Sequence, residues 1–276
     1  MIKHIIQIAD LHIFNDTKSQ HIMEKINKLV KAIINEVKVY GKDETRIVIV
    51  GDIYQNKIKA SNEAKQAFHY LMNLLNKVTT TYIVAGNHDM LQKNKSRLDS
   101  ISTTFSIDGI YKKVTYLDKA LDYKSGYVID DNVVFALWSM FDDFKSPNID
   151  AEFREAHKDK RIIGLYHGDI VGSVTDIGRY SETGIDTDQF EYCDCVMAGH
   201  IHKFQEIKKN GVPIVYAGSV FQKDFGENIT GHGIVVWNLE DMSYELKEVE
   251  NDYRMYKFTV EDYDDVKNDE ERLLNL

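Results

Sequence analysis

The chain has 276 residues, 43% of them hydrophobic, which is enough to bury the core of one large domain with a small appendage. A formal net charge of −10 argues against a protein that grips nucleic acid by broad electrostatics. No run is apolar enough to span a membrane, Met1-Ile-Lys-His-Ile-Ile-Gln-Ile lacks a signal-peptide layout, and Cys193 and Cys195 are too few for a disulfide framework.

In chain order, Lys3 to Ala9 reads as a strand ending in Asp10-Leu11-His12. Gln20 to Val39 carries Ile22, Ile26, Leu29, Val30, Ile33 and Val37 on a helical stripe. Arg46 to Val50 is a short β-branched run that predicts a fully buried strand, with Gly51 ending it and Asp52 emerging at its carboxyl end. Ser61 suits an N-cap and Glu63 the first turn of a helix bearing Ala64, Ala67, Phe68, Leu71 and Leu75. Thr81 to Ala85 is a third strand, running into Gly86-Asn87-His88-Asp89. This alternation is α/β organisation, in which ligand chemistry gathers at strand carboxyl ends.

The middle is less regular. A helix is expected over Ile101 to Ile107, a strand over Val133 to Trp138 and a short helix over Ala151 to His157. Arg161 to Tyr166 delivers His167-Gly168, and Cys193 to Ala198 delivers Gly199-His200-Ile201-His202. Phe204 to Lys209 and Val212 to Ala217 flank Asn210-Gly211, a type I′ hairpin signal. Gly233 to Leu239, Tyr244 to Val249 and Met255 to Val260 read as further antiparallel strands, and acidic Tyr263 to Leu274 as a helix. The division expected is a main domain over 1–250 and a C-terminal extension over 251–276. The two cysteines read as thiols beside a strand in a reducing cytoplasm.

Five strand ends therefore present Asp, Asn or His. Oxygen and imidazole donors without thiolate suit Mn²⁺, Fe²⁺ or Zn²⁺ in a catalytic site, and their number exceeds what one tetrahedral ion needs. A carboxylate is the natural bridge between two ions. His4, His21, His69, His157 and His232 fall outside these motifs and read as surface or packing residues.

The ordered set Asp10-Leu-His12, Gly51-Asp52, Gly86-Asn-His-Asp89, His167-Gly168 and Gly199-His-Ile-His202 resembles the calcineurin-like metallophosphoesterase superfamily. Each piece alone is weak; five in order are specific. The resemblance implies a two-sheet sandwich flanked by helices, with the active site at the strand carboxyl ends. It also implies one metal held by Asp10, His12, Asp52 and His202 and a second by Asp52, Asn87, His167 and His200. The ions would be two divalent cations, Mn²⁺ first, with Mg²⁺, Fe²⁺ or Zn²⁺ as substitutes, activating a bridging water. His88 would serve the leaving oxygen and Asp89 would orient His88.

Within that superfamily, the loop Asp52 to Ser61 and the segments Tyr216-Ala-Gly-Ser219 and Phe225-Gly-Glu227 are similar to SbcD-type recombination and repair nucleases, including phage members. Gln55 stands where many phosphoesterases have a second Asp, and Ala217 where SbcD relatives often have Pro. The resemblance implies exonuclease action on duplex DNA ends, endonuclease action on single strands, and an SMC-like ABC ATPase partner of SbcC type. It further implies a homodimer, for which the stripe on the helix after Ser61 offers a surface, and residence in the cytoplasm, the host's if phage-encoded. Such proteins usually continue through a capping domain, so a truncated or short form is expected. Lys57, Lys59, Lys93, Lys95, Arg97 and Arg179 are candidate phosphate contacts. The alternatives are a metallophosphatase or cyclic-nucleotide phosphodiesterase on a small substrate, and a catalytically dead scaffold.

Overall fold

The computed structural model describes residues 1–14, 19–57, 60–107, 109–175, 177–209 and 211–256. Its first part runs β1 (His4–Ala9), α1 (Ser19–Tyr40), β2 (Thr45–Val50), α2 (Asn62–Val78), β3 (Thr81–Val84), β4 (Val114–Tyr116), α3 (Leu117–Ala120), β5 (Gly126–Asp130) and β6 (Val133–Trp138). Then follow α4 (Ala151–Ala156), β7 (Arg161–His167), β8 (Cys195–Gly199), β9 (Gln205–Lys209), β10 (Val212–Tyr216), β11 (Gly233–Asn238) and β12 (Ser243–Glu248).

The strands make two six-stranded mixed sheets, ordered β12-β11-β1-β2-β3-β4 and β5-β6-β7-β8-β10-β9. In the first, β1 to β4 run parallel and β11 and β12 close one side antiparallel. In the second, β6, β7, β8 and β10 are parallel between antiparallel edges β5 and β9. Strand alternation sorts the core into layers. Ile6 and Ile8 pack with Leu29, Ile33, Phe68 and Leu71 of α1 and α2, whereas Ile5, Ala9, Val48 and Val50 meet Phe135, Leu165 and Met197 of the other sheet. A third cluster around Trp138, Tyr166 and Phe190 covers the outer face of the second sheet, with Phe153 of α4 against it. The fold is the expected α/β two-sheet sandwich. Among the described residues no helix is long and apolar enough to cross a membrane.

A fully buried amide crosses the central layer. Gln7 is fully buried; its Nε2 donates to the carbonyls of Ala198 (3.1 Å) and Val215 (2.9 Å), and its Oε1 accepts from Trp237 Nε1 at 2.8 Å. It ties β1 to β8 and β10 across the sandwich and to Trp237 of the neighbouring β11, and removing it strands several buried partners.

Two local expectations change. Residues 101–105 form turns rather than a helix: Asp99 accepts from the Ile101 and Ser102 amides as an N-cap would, but the backbone closes through Thr104 N to Ile101 O (2.9 Å) and Phe105 N to Ser102 O (3.2 Å) and goes no further. The α2 stripe, offered as a dimer surface, is instead core: Ala64, Ala67, Phe68, Leu71 and Leu75 are all buried. Ser61 does cap α2, accepting from Ala64 N at 3.1 Å. Strands β4 and β5 went unread, since one has three residues and the other alternates only between half-buried and exposed. Cys193 and Cys195 are free and buried. Asn210, Lys59 and the expected elements beyond residue 256 lie outside the described residues, although β9 and β10 pair antiparallel from Lys209 and Val212. The extension begins against α1, where Tyr253 stacks on His21 and pairs with Glu24, and Asp252 pairs with Lys28.

Replacing Gln7 by Leu keeps the volume but leaves Trp237 Nε1 and two carbonyls without their partner. A loss of about 2–3 kcal/mol is expected in chemical denaturation, against under ~0.5 kcal/mol for Lys158→Ala on the surface.

Candidate metal centre

Strands β1, β2, β3, β7 and β8 end along one edge, where the gap between the sheets opens. The chain turns sharply there: φ is +53° at Asp10, +43° at His12, +52° at Asp52 and +101° at His200. Left-handed backbone in non-glycine residues is uncommon and concentrates at functional sites, with Asp and His among the side chains that tolerate it. The adjacent glycines make room. A Cβ on Gly51 would lie 2.2 Å from His167 Nδ1, and one on Gly86 would lie 2.2 Å from the Asp52 amide nitrogen.

The turns bring all seven predicted ligand residues together. His12 Nε2 lies 2.9 Å from His202 Nε2, 3.7 Å from Asp10 Oδ1 and 3.6 Å from Asp52 Oδ2. On the other side, Asp52 Oδ1 lies 3.2 Å from His167 Nε2, which is 3.3 Å from Asn87 Oδ1; His200 Nδ1 is 2.8 Å from the same Asn87 oxygen. Asp52 thus turns one carboxylate oxygen to each group. Asp10 accepts the His200 amide on both oxygens, and Asp52 Oδ1 accepts the His88 amide at 2.8 Å.

Burial sets the protonation pattern. It holds His12 at a pKa of about 2, so its ring is a neutral lone-pair donor. Burial also disfavours charge on both Asp52 and His167, but their mutual attraction prevails. The carboxylate stays well below its ordinary range and the imidazole rises to about 9. Three groups of Asp and His donors, with ligand atoms within 4.8 Å of one another, occupy this edge: Asp10, His12 and His202; His12, Asp52 and His88; Asp52, His167 and His200. Buried acids and imidazoles converging in this way fit divalent cations, whose binding would take the place of the proton on His167.

His88 is half-buried, edge-on to His12 at 4.9 Å, and its Nδ1 donates to the Gln55 carbonyl at 2.6 Å. The expected His88–Asp89 pair does not form. The buried Asp89 carboxylate instead accepts the amides of Ile53 (3.1 Å), Tyr54 (3.0 Å) and Gly86 (2.9 Å), tying the Asp52 loop to the Gly86 loop. Three amides in reach outcompete a ring that a backbone carbonyl already holds. The non-standard Gln55 is therefore accommodated, since the contact with His88 uses its main chain.

Of the candidate phosphate contacts, Lys57, Lys93, Arg97 and Arg179 are exposed. Lys95 is committed elsewhere, donating to the Met140 carbonyl at 2.9 Å and pairing with Asp143. Several neighbours went unread in the sequence. Lys223 acts electrostatically on His12, His88 and His202, Glu227 binds His202, and Asp169 Oδ2 lies 3.6 Å from His200 Nε2. Only Glu227 had a signal, since it falls in the Phe225-Gly-Glu227 segment. Beside Asn87, His167 and His200 lies a cleft of about 630 Å³ whose wall includes Asp143, Asp169 and Asp186.

An α/β sandwich with such an Asp, Asn and His cluster at its strand ends is suited to holding divalent metal. The calcineurin-like phosphoesterase superfamily domain matches residues 4–241, and the chain belongs to that superfamily. Its similarity to an uncharacterized protein of Acanthamoeba polyphaga mimivirus is 33% identity over 257 residues, covering 91% of this chain but only 18% of that protein. Among solved structures, a candidate 5'-nucleotidase from Staphylococcus aureus shares 15% identity at a TM-score of 0.48, over 99% of this chain and 58% of its own. An archaeal phosphodiesterase shares 12% identity at a TM-score of 0.42, over 88% of this chain and 97% of its own.

Asp52→Asn is expected to abolish tight binding of both ions in Mn²⁺ equilibrium dialysis, while His200→Ala keeps one. Equal losses in the two variants would count against a shared carboxylate.

Proposed function

We propose that the chain is a two-metal phosphodiesterase that cuts DNA, the nuclease partner of an SMC-like ABC ATPase, working as a homodimer in the cytoplasm. Asp10, His12, Asp52 and His202 would hold one ion, and Asp52, Asn87, His167 and His200 the other, with Mn²⁺ the favoured metal. When bound, such a pair supplies Lewis acidity and a water acidic enough to act as nucleophile near neutral pH. The observation that carries this reading is Asp52, which faces one ligand group with each oxygen.

The chain's own residues supply the rest. His88 is anchored through Nδ1 by the Gln55 carbonyl, which leaves Nε2 to exchange a proton with the leaving sugar oxygen. Burial lowers its pKa, which makes its protonated form a stronger acid toward that oxygen. Lys223, whose charge is felt at His12, His88 and His202, favours an anionic diester on that side. DNA as substrate is supported by the segment from Tyr216 to Glu227, which resembles SbcD-type nucleases and packs directly on the site through Ser219 N to the His202 carbonyl at 3.0 Å. The net charge of −10 suits a subunit whose partner provides much of the DNA grip.

One observation favours hydrolysis of a small phosphoester instead: the acidic wall of the 630 Å³ cleft disfavours a long polyanion there. Mn²⁺-dependent degradation of linear duplex DNA, compared with turnover of p-nitrophenyl phosphoesters, separates the two. Under the nuclease reading DNA is degraded, more strongly with the ATPase present, and His88→Ala slows cleavage by about 10²–10⁴-fold while both ions still bind. Rapid small-ester turnover with inert DNA would sink it.

A further inference from the structure

The four histidines of the centre are not anchored alike. His167 Nδ1 donates to the Val50 carbonyl at 2.8 Å, His200 Nε2 stands 3.6 Å from the half-exposed Asp169, and His12 Nδ1 is buried with no hydrogen-bond partner. Only His202 meets a buried carboxylate through the ring nitrogen turned away from the donor cluster, its Nδ1 lying 2.6 Å from Glu227 Oε1. Glu227 is 7% exposed, and its other oxygen accepts the Lys223 amide at 2.8 Å and the Ser219 hydroxyl at 3.2 Å. Beyond it, Ser219 Oγ meets His232 Nδ1 at 3.0 Å, and His232 Nε2 donates to the Asn228 carbonyl at 2.6 Å.

We propose that Glu227 is the positioning residue of the centre: it fixes His202 as the Nδ1–H tautomer, aims Nε2 at the ion shared with His12, and so sets the affinity of that ion alone. The inference rests on the two-metal reading given above. An ionised carboxylate only accepts, so the proton must sit on Nδ1, and the lone pair on Nε2 then faces the His12 nitrogen 2.9 Å away. Without Glu227 the proton is free to sit on Nε2, where it would point at His12 and block the ligand atom. Because each Glu227 oxygen is held separately, the 219–227 loop acts as a rigid brace for one imidazole. Carboxylates that orient a ligating histidine are typically worth about 10- to 100-fold in metal affinity.

The test is Mn²⁺ titration calorimetry on chelator-treated protein, with NMR of ring nitrogens in the Zn²⁺-loaded form. Glu227→Gln, close to isosteric, is expected to weaken one of the two ions by about 10- to 100-fold and to leave the other within about threefold. Ser219→Ala removes a loop hydrogen bond to Glu227 but keeps the Glu227–His202 contact, so both ions should bind within about threefold of wild type. In wild type the His202 Nδ1 proton should be visible and protected from exchange, and this protection should be lost in Glu227→Gln. Wild type binding two ions while Glu227→Gln matches it, or loses both ions equally, would overturn this inference alone. Wild type that takes up no Mn²⁺ would overturn the two-metal reading, and the inference with it. A purely structural Glu227 would lower the melting temperature in both variants with both ion affinities intact, which also overturns it.

Discussion

A buried carboxylate at the end of β2 is the constraint on which this molecule depends. Asp52 is almost fully buried, so its charge must be met from both sides, by imidazoles and by the cations the donor cluster fits. That requirement explains the glycines on either side of the pocket. Gly51 leaves space for the His167 ring and Gly86 for Asp52 itself. It also explains why strand ends that could continue straight instead turn left-handed at Asp10, His12, Asp52 and His200. Strain of this kind persists only where the surroundings enforce it, and the packed sandwich beneath provides that.

The sandwich does so by running the contributing strands the same way. β1, β2 and β3 of one sheet and β7 and β8 of the other all end at the same edge, so the donors meet across the gap between the sheets. His167 reaches over to the Val50 carbonyl, and a Cβ on Gly199 would fall 2.2 Å from that same oxygen. Gln7, deep in the same layer, binds backbone on β8 and β10 and the Trp237 ring. Around it the layer is lined by hydrophobic side chains such as Ile5, Val48, Leu165 and Met197, so Gln7 helps to pin the register of the two sheets beneath the site.

The surroundings of the centre are electrically uneven. The side bearing His12 and His202 has Lys223 near it and Glu227 locked behind it. The side bearing His167 and His200 opens into a cleft walled by Asp143, Asp169 and Asp186. The two sides of the centre thus differ in the charge they present. Lys95 is drawn into an ion pair with Asp143 and softens the contrast only locally.

The amino-acid sequence by itself determined the strands β1, β2, β3, β6 and β7, both long helices and the Ser61 cap, because each rests on periodicity or bonding within a few residues. It also determined which strand ends carry Asp, Asn and His, since motif order is a property of the chain. Only the tertiary structure decided who meets whom. It gave His88 a backbone carbonyl from Gln55, sent Asp89 to three amides, turned the α2 stripe into core, and placed Glu227 on His202. These contacts span 25 to 190 residues of sequence where they bear on the imidazoles of the centre, as with His202 and Glu227, or His12 and His202. A main-chain acceptor has no side-chain signature, and a carboxylate in a loop reads alike whether it faces water or a ligand. Packing alone tells them apart.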